Sequence, residues 1–460
     1  MFAAWALVYS ASATNDNIVD GSSNICVRNT IIGHAIIDAV NLSWPGLEPV
    51  KSAAVAGDLG SACEALAAYY KHSNRSAWLR LPLTPTPSER RAGGDVDDLV
   101  DHDIFRLSGV RQVAKIPRNA DGGLNWLDKG PKHDPEFMNC LNRHESFTLL
   151  LRAWNATGNP IYVQYFSDLV QDWVGHLPCR KGVSRSRWNA TGGSEACATG
   201  TMESPWRVLE AGIRTAGPWP PAFFGIQQAD AFTTSARVMM ILGFSEHNAV
   251  LNGPGRSAHT PNWAIGQWAG LVESCVALPE LNNCSTLLET AFGELKYWLD
   301  KQVYPDGVET EEAFGYDLWT ARSFFDTIEL LHKANHAPPP ASYVSKVERM
   351  FDYGVYANDQ VGHMPITHAY THACNHSYIH PCLLSLLHTL TLAFIHTLIL
   401  TFTHAPSSHS TSLSLIVPLP HTPSSHSTSQ YPSYHSSGRA VFPLETETWT
   451  WGNKGGINQR

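Results

Sequence analysis

The chain has 460 residues, 43% of them hydrophobic, with 15 Trp, 15 Tyr and 17 Phe, and a formal net charge of −9. That length and apolar content can bury a large core and exclude a disordered or fibrous chain. The acidic balance argues against a general nucleic-acid binder, while a local basic patch remains in CRKGVSRSRW, with Arg180, Lys181, Arg185 and Arg187, whose plainer reading is a solvated loop.

The first residues, MFAAWALVYSASA, hold a short apolar run and an A-S-A cleavage candidate at 11–13. Residues 1–13 are therefore expected to be a signal peptide, although no basic segment precedes the run. Asn-X-Ser/Thr sequons at Asn41, Asn74, Asn155, Asn189, Asn283 and Asn375 point the same way, to a glycoprotein that is secreted or held in the secretory lumen. Nine cysteines fit an oxidising compartment. Cys179 with Cys197 and Cys275 with Cys284 are plausible bridges, one cysteine is left over, and no Cys-x-x-Cys pair supports zinc.

From 29 to 70 the pattern is helical, NTIIGHAIIDAV and then SAAVAGDLGSACEALAAYY. Residues 80–100 read as loop, carrying Pro, Gly and Ser. From about 130 to 357 amphipathic segments of helical length recur, among them ESFTLLLRAW, IYVQYFSDLVQDWV, SPWRVLEAGIR, FTTSARVMMILGF, PNWAIGQWAGL, LLETAFGELKYWLDKQV and ARSFFDTIELLHKAN. Serial helical hairpins with few strand alternations point to a mainly α fold, an α/α toroid or solenoid. Aromatic rings suit a carbohydrate groove as well as a core, and core is the plainer reading of any one of them.

After 359 the chain changes character. No Lys, Arg, Asp or Glu occurs from 360 to 438, and 12 of the 22 histidines fall there. PSSHSTS occurs at 406–412 and again at 423–429, and His368, His372, His376 and His380 recur every fourth residue. A helical histidine stripe for metal is one reading. A membrane span at 383–402 is another, opposed by its Thr and His content. The favoured reading is low-complexity sequence outside the fold. The domain plan is a helical domain at 25–358, this segment at 360–438 and a short remnant at 439–460.

Several blocks in one order carry a family resemblance: the run from NWLDKGPKHDPEF to DLVQDWV, then SPWRVLEAGIRTAGPW, PNWAIGQWAGLVESCVALPEL and QVYPDGVETEEAFGYDLW. Together they resemble the heparinase II/III-like polysaccharide lyases over roughly residues 30–360. The resemblance implies an α/α toroid followed by an antiparallel β-sandwich that supplies the far side of the cleft, including a histidine. Because 360–460 does not read as a β-sandwich, the expectation is an incomplete toroid with that domain missing or truncated. The expectation includes no redox cofactor and no metal.

A lyase acting on a uronic acid removes the weakly acidic C5 proton beside a carboxylate, so groups that neutralise that carboxylate as charge builds up accelerate the step. Asn262 matches the family's neutralising Asn; a helix N-cap after Pro261 is its plainer alternative. Tyr316 matches the family's tyrosine and is expected to move protons at C5, at the leaving O4, or at both. An ordinary phenol, near pKa ~10, needs a cation beside it to act as a base at neutral pH. Arg214, in GIRTAG, matches a family arginine that would supply that field or bind the carboxylate; a structural salt bridge is the alternative. Trp263 and Trp206 are expected to line subsites, and Glu312 to brace the tyrosine segment and contribute to substrate binding. His144 and His247 are candidates for the cleft whose plainer reading is satisfied core or surface histidine, and His363 is not favoured.

Asp306, Glu309, Glu311 and Glu312 raise a hydrolase alternative, since inverting glycosidases set an acid and a base across a cleft. Their clustering in one short segment argues against it, and Asp306-Gly307 reads as a turn. The expectation is a secreted polysaccharide lyase acting by β-elimination on an acidic polysaccharide, a uronan or a glycosaminoglycan, with no specific protein partner. An inactive toroid that only binds acidic glycans is the alternative from another class.

Overall fold

The structure, a computed structural model, describes residues 24–73, 93–179, 204–253 and 261–360. The expected signal peptide, the basic loop, the candidate span at 383–402 and both histidine-rich repeats lie outside these residues. Among the described residues no helix is long and apolar enough to cross a membrane.

Helices dominate. The N-terminal group comprises α1 (Ile25–Arg28), α2 (Thr30–Asp38), α3 (Glu48–Val55) and α4 (Leu59–His72). The run expected as one helix past residue 52 breaks at Gly57, whose φ of 76° leaves the helical region, and restarts where the Asp58 carboxylate accepts from Ser61 N at 2.9 Å. A Cys26–Cys63 disulfide joins α1 to α4. Sequence spacing gave no hint of it. Closing a loop of 37 residues stabilises the fold by about 3–4 kcal/mol.

Residues expected as loop form part of α5 (Gly93–His102), and a two-stranded antiparallel hairpin follows, β1 (Ile104–Leu107) with β2 (Gln112–Lys115). Strands of four residues are too short to show a period-2 pattern above noise. Then come α6 (Pro135–Leu141), α7 (Glu145–Thr157), α8 (Pro160–His176), α9 (Val208–Thr215), α10 (Trp219–Gly225), α11 (Thr234–Leu251), α12 (Pro261–Ala277), α13 (Cys284–Gln302), α14 (Phe314–Lys333) and α15 (Ala341–Gln360). Each packs on its neighbours along the chain: α7 on α8, α8 on α11, α11 on α9 and α12, α12 on α13 and α14, α14 on α15. This is the helical ring of an incomplete α/α toroid, and no β-sandwich occurs among the described residues.

Two details place the site. First, α9 and α12 touch backbone to backbone. A Cβ on Gly212 would lie 2.2 Å from the Gly266 carbonyl oxygen, and one on Gly270 would lie 2.7 Å from Gly212 Cα, so only glycine allows this approach. Second, Cys275 at the end of α12 and Cys284 at the start of α13 are free thiols rather than the expected bridge, with their sulfurs 2.7 Å apart. Cys179 is disulfide-bonded, and its partner lies outside the described residues.

Candidate active site

The hairpin that ends α13 turns at Asp306-Gly307, as the sequence indicates. Gly307 N donates to Tyr304 O (3.0 Å), Tyr304 N to Val308 O (2.8 Å) and Thr310 N to Gln302 O (2.7 Å). Gly307 has φ 97°, and a Cβ there would sit 2.2 Å from Arg349 O. From this turn the chain climbs to α14 through Glu309, Thr310, Glu311 and Glu312, three carboxylates in four residues. Glu311 N donates to Glu309 Oε2 (2.9 Å), and Glu309 N donates to Asp317 Oδ1 (2.8 Å) in the first turn of α14.

Glu311 then reaches across to α12. Asn262 Nδ2 donates to Glu311 Oε2 at 2.9 Å, and Asn262 N donates to Oε1 at 3.3 Å. An anion here meets one of the first-turn N–H groups that have no partner within the helix. The brace foreseen at Glu312 therefore falls to Glu311. Glu312 itself adopts a left-handed φ of 54° and is exposed, because the chain reverses there through its N–H bond to Glu309 O (2.9 Å).

Burial raises the Asp317 carboxyl to about 6, and the neighbouring Glu309 adds to the rise against the bond from Glu309 N. Glu309 is raised too, first by burial. Tyr316 precedes Asp317 and is 52% exposed, while Asn262 is 6% exposed. The packing of α12 on α14 thus puts the Asn262 and Tyr316 segments on adjoining helix starts, linked by the ladder Asn262–Glu311–Glu309–Asp317.

Trp263 is half-buried, with the Arg207 guanidinium 4.6 Å from its ring centre. Arg207 belongs to a closed ionic network under the site, unforeseen from the sequence. It bonds both carboxylate oxygens of Glu210 and reaches Glu136 at 3.3 Å; Arg143 bonds Glu136 at 2.6 Å and Glu210 at 3.0 Å. Burial opposes the charge on Glu136, but Arg143, the hydrogen bond from Asn139 and Arg207 together outweigh it and hold the carboxyl below its usual range. The only sequence signal was the W-R…E…R spacing of SPWRVLEAGIR.

Arg214 and Trp206 are not brought to this surface. Arg214 is 0% exposed and Trp206 1%. Arg214 Nε donates to His247 Nε2 (2.7 Å) and Nη1 to Asn142 O (2.6 Å), with its guanidinium over the rings of Trp173 and Trp206 at 4.7 and 5.3 Å. Trp206 Nε1 donates to Leu177 O (2.8 Å). In this geometry neither side chain can touch a polymer, which corrects the expectation of direct contact. The cause is that α9 is covered by α11 on one side and α12 on another.

The same interior holds the two histidines proposed for the cleft, both fully buried. Guanidinium only donates, so His247 Nε2 is an acceptor and its proton sits on Nδ1, bonding Gly243 O (2.6 Å). By the same logic Trp219 Nε1 donates to His144 Nδ1 (2.9 Å), leaving the His144 proton on Nε2. Burial, then the Arg214 charge, holds both rings far below the ordinary histidine range, so both are neutral.

A concavity of about 420 Å³, lined by Gly46, Ala65, Tyr69 and His72 among others, lies on α3 and α4, helices that carry none of the candidate residues. Among the described residues no three His, Cys, Asp or Glu side chains are grouped to hold a metal.

The family model described as heparinase II/III N-terminus matches residues 36–366. Heparin-sulfate lyase of Bacteroides thetaiotaomicron is 23% identical over 308 residues, covering 66% of this chain and 41% of that protein. Heparin-sulfate lyase of Pedobacter heparinus is 23% identical over 337 residues, covering 72% and 47%. Among solved structures, heparan sulfate lyase HepC from Pedobacter heparinus superposes with a TM-score of 0.54 at 23% identity, over 70% of this chain and 47% of that one. Heparinase III superposes with a TM-score of 0.58 at 21% identity, over 70% and 47%. At these identities the structural likeness speaks for the fold, and the chain spans less than half the length of the curated relatives. With well over half of its residues matched by the family model, the chain belongs to the heparinase II/III family.

Proposed function

We propose that this chain is the helical part of a polysaccharide lyase that cleaves a uronic-acid-containing polysaccharide of glycosaminoglycan type by β-elimination. The observation that carries the reading is the pairing of Asn262 and Tyr316 on adjoining helix starts, tied by one hydrogen-bonded ladder, in a chain of this family. The names of the relatives supply the substrate class.

In this reading the Asn262 amide neutralises the substrate carboxylate, an amide being able to do so without titrating. C5 gives up its proton, the electron pair forms the C4–C5 double bond, and the C4–O4 bond breaks with a proton delivered to O4. Half-exposed Tyr316 is the group that takes the first proton, gives the second, or does both in a syn elimination. Trp263 offers a ring whose packing on Arg207 fixes its plane. Arg214 and Trp206 contribute from within, by holding α9 against α11. Glu312, exposed at the turn, contributes at the rim. Secretion belongs to the same proposal, and the sequon residues Asn41 and Asn283 are both exposed.

The test is incubation of the full chain with heparan sulfate and, separately, alginate, followed by ultraviolet absorbance and reducing-end assays. Unsaturated, absorbing ends support elimination; new reducing ends without absorbance support hydrolysis; retention on an immobilised uronan without cleavage supports a binding module. Tyr316→Phe is expected to lower turnover by about 10²–10⁴-fold while sparing binding. Full activity in that variant would remove Tyr316 from the mechanism.

A further inference from the structure

We infer that Glu311 is a positioning residue that sets the orientation of the Asn262 amide, an inference that rests on the lyase reading for its catalytic consequence. The geometry is specific. Two oxygens of one carboxylate accept from two donors of one residue, the backbone N–H and the side-chain Nδ2 of Asn262. A carboxylate is acceptor-only. Rotating the amide by half a turn would place Asn262 Oδ1 against Glu311 Oε2, two acceptors with no hydrogen between them. Glu311 therefore determines which end of the amide faces which way, a choice that sterics alone leave almost open because the two ends have nearly the same size.

The carboxylate is itself held. Glu311 N is anchored on Glu309 Oε2, and Glu309 N on Asp317 Oδ1, one residue from Tyr316. Each bond runs from a backbone N–H to a carboxylate, so the ladder fixes main chain as well as side chains. It links the Asn262 donor group to the turn that carries Tyr316 without passing through the helical core. Among the described residues no cation is bonded to Glu311, Glu309 or Asp317. A negative group in this position repels an anionic sugar, so Glu311 acts through Asn262 and is not a substrate contact. A misdirected amide would present its carbonyl oxygen to a substrate carboxylate, and small errors in placement cost about 10²-fold in rate.

The experiment compares wild type, Glu311→Gln, Asn262→Ala and the double variant, all as the full chain on heparan sulfate, with thermal unfolding as a control. Gln can present a donor where Glu presents only acceptors, so it unlocks the amide with little change in size. Glu311→Gln is expected to lower kcat by about 10–100-fold with KM changed less than about threefold, and to have no further effect in the Asn262→Ala background. An unchanged kcat, or an equal loss in both backgrounds, overturns the inference. If wild type yields no unsaturated product, the lyase reading fails by itself, and selective ¹⁵N-asparagine labelling decides the positioning role. The Asn262 side-chain amide, identified by its disappearance in Asn262→Ala, is then expected to shift in Glu311→Gln more than any other asparagine. An unmoved resonance overturns it.

Discussion

The interior around Arg214 and the edge around Asn262 both bury titratable groups, basic ones in the first and acidic ones in the second. Inside, one guanidinium and two neutral imidazoles are enclosed by Trp173, Trp206 and Trp219. At the edge, three carboxylates form a ladder on backbone N–H groups, capped by an amide. In the interior burial disfavours positive charge; at the edge it disfavours negative charge. The difference teaches where adaptability resides. The interior locks helix to helix, whereas the edge joins two helix starts through a short segment that ends in an exposed tyrosine.

The largest effect is expected from breaking the interior. Arg214→Ala removes two hydrogen bonds and the stacking on two Trp rings, leaves a cavity, and strands the His247 acceptor. Some of that loss is offset, because burial lowers the Arg214 pKa to about 9, a sign that its charge is costly there. A net loss of about 3 kcal/mol in urea unfolding is expected. Arg214→Met, which refills the volume without donors, is expected to recover part of it. If Met were no better than Ala, hydrogen bonding rather than packing would dominate the interior.

A smaller effect separates the two regions by pH. His144 and His247 have folded pKa values depressed below the unfolded value of about 6.5, so their contribution to stability is complete above that pH and is lost as the medium acidifies. Each is expected to contribute a slope of about 1.4 kcal/mol per pH unit below pH ~6. His247→Gln, which keeps an acceptor for Arg214, should halve the interior's slope in unfolding measured from pH 7.5 to 4.5. An unchanged slope would mean that acid sensitivity comes from elsewhere.

These two regions were not equally legible in the sequence. The helical series was, since its amphipathic repeats are long, and so was the Asp306-Gly307 turn within 302–317. The division of labour between Glu311 and Glu312 was not, because a left-handed residue in a four-residue reversal sends adjacent side chains opposite ways. Arg214 and Trp206 are expected at the site from the resemblance, and a residue on or just before a short helix gives no sign of how many neighbours cover it. The Gly212–Gly270 contact that lets α12 approach was present only as ordinary glycines in AGIR and AGL. The Cys26–Cys63 bridge joins helices whose closeness is a property of the fold, so no local spacing announces it.

The smallest expected effect lies at the edge and has the opposite sign to the interior's. Asp317 has a folded pKa of about 6 against an unfolded value near 3.9, so the folded chain binds its proton more tightly. Its contribution to stability is complete below pH ~4 and is lost as pH rises through about 6. Asp317→Asn keeps an oxygen to accept from Glu309 N and supplies a neutral group in place of Oδ2, which has no partner. The variant is therefore expected to be more stable than wild type at pH 7.5 by about 1–2 kcal/mol, part of the gain being offset by the unpaired amide N–H groups that replace Oδ2, and equal to it at pH 4. Hydrogen exchange at Glu309 and Glu311 N–H reports this directly, with protection in wild type falling between pH 5 and 7 and in the variant staying flat once intrinsic rates are divided out. A fall of the same size in both proteins would transfer the pH dependence to Glu309, the other raised carboxyl of the ladder. The site would then be tuned one step closer to Asn262.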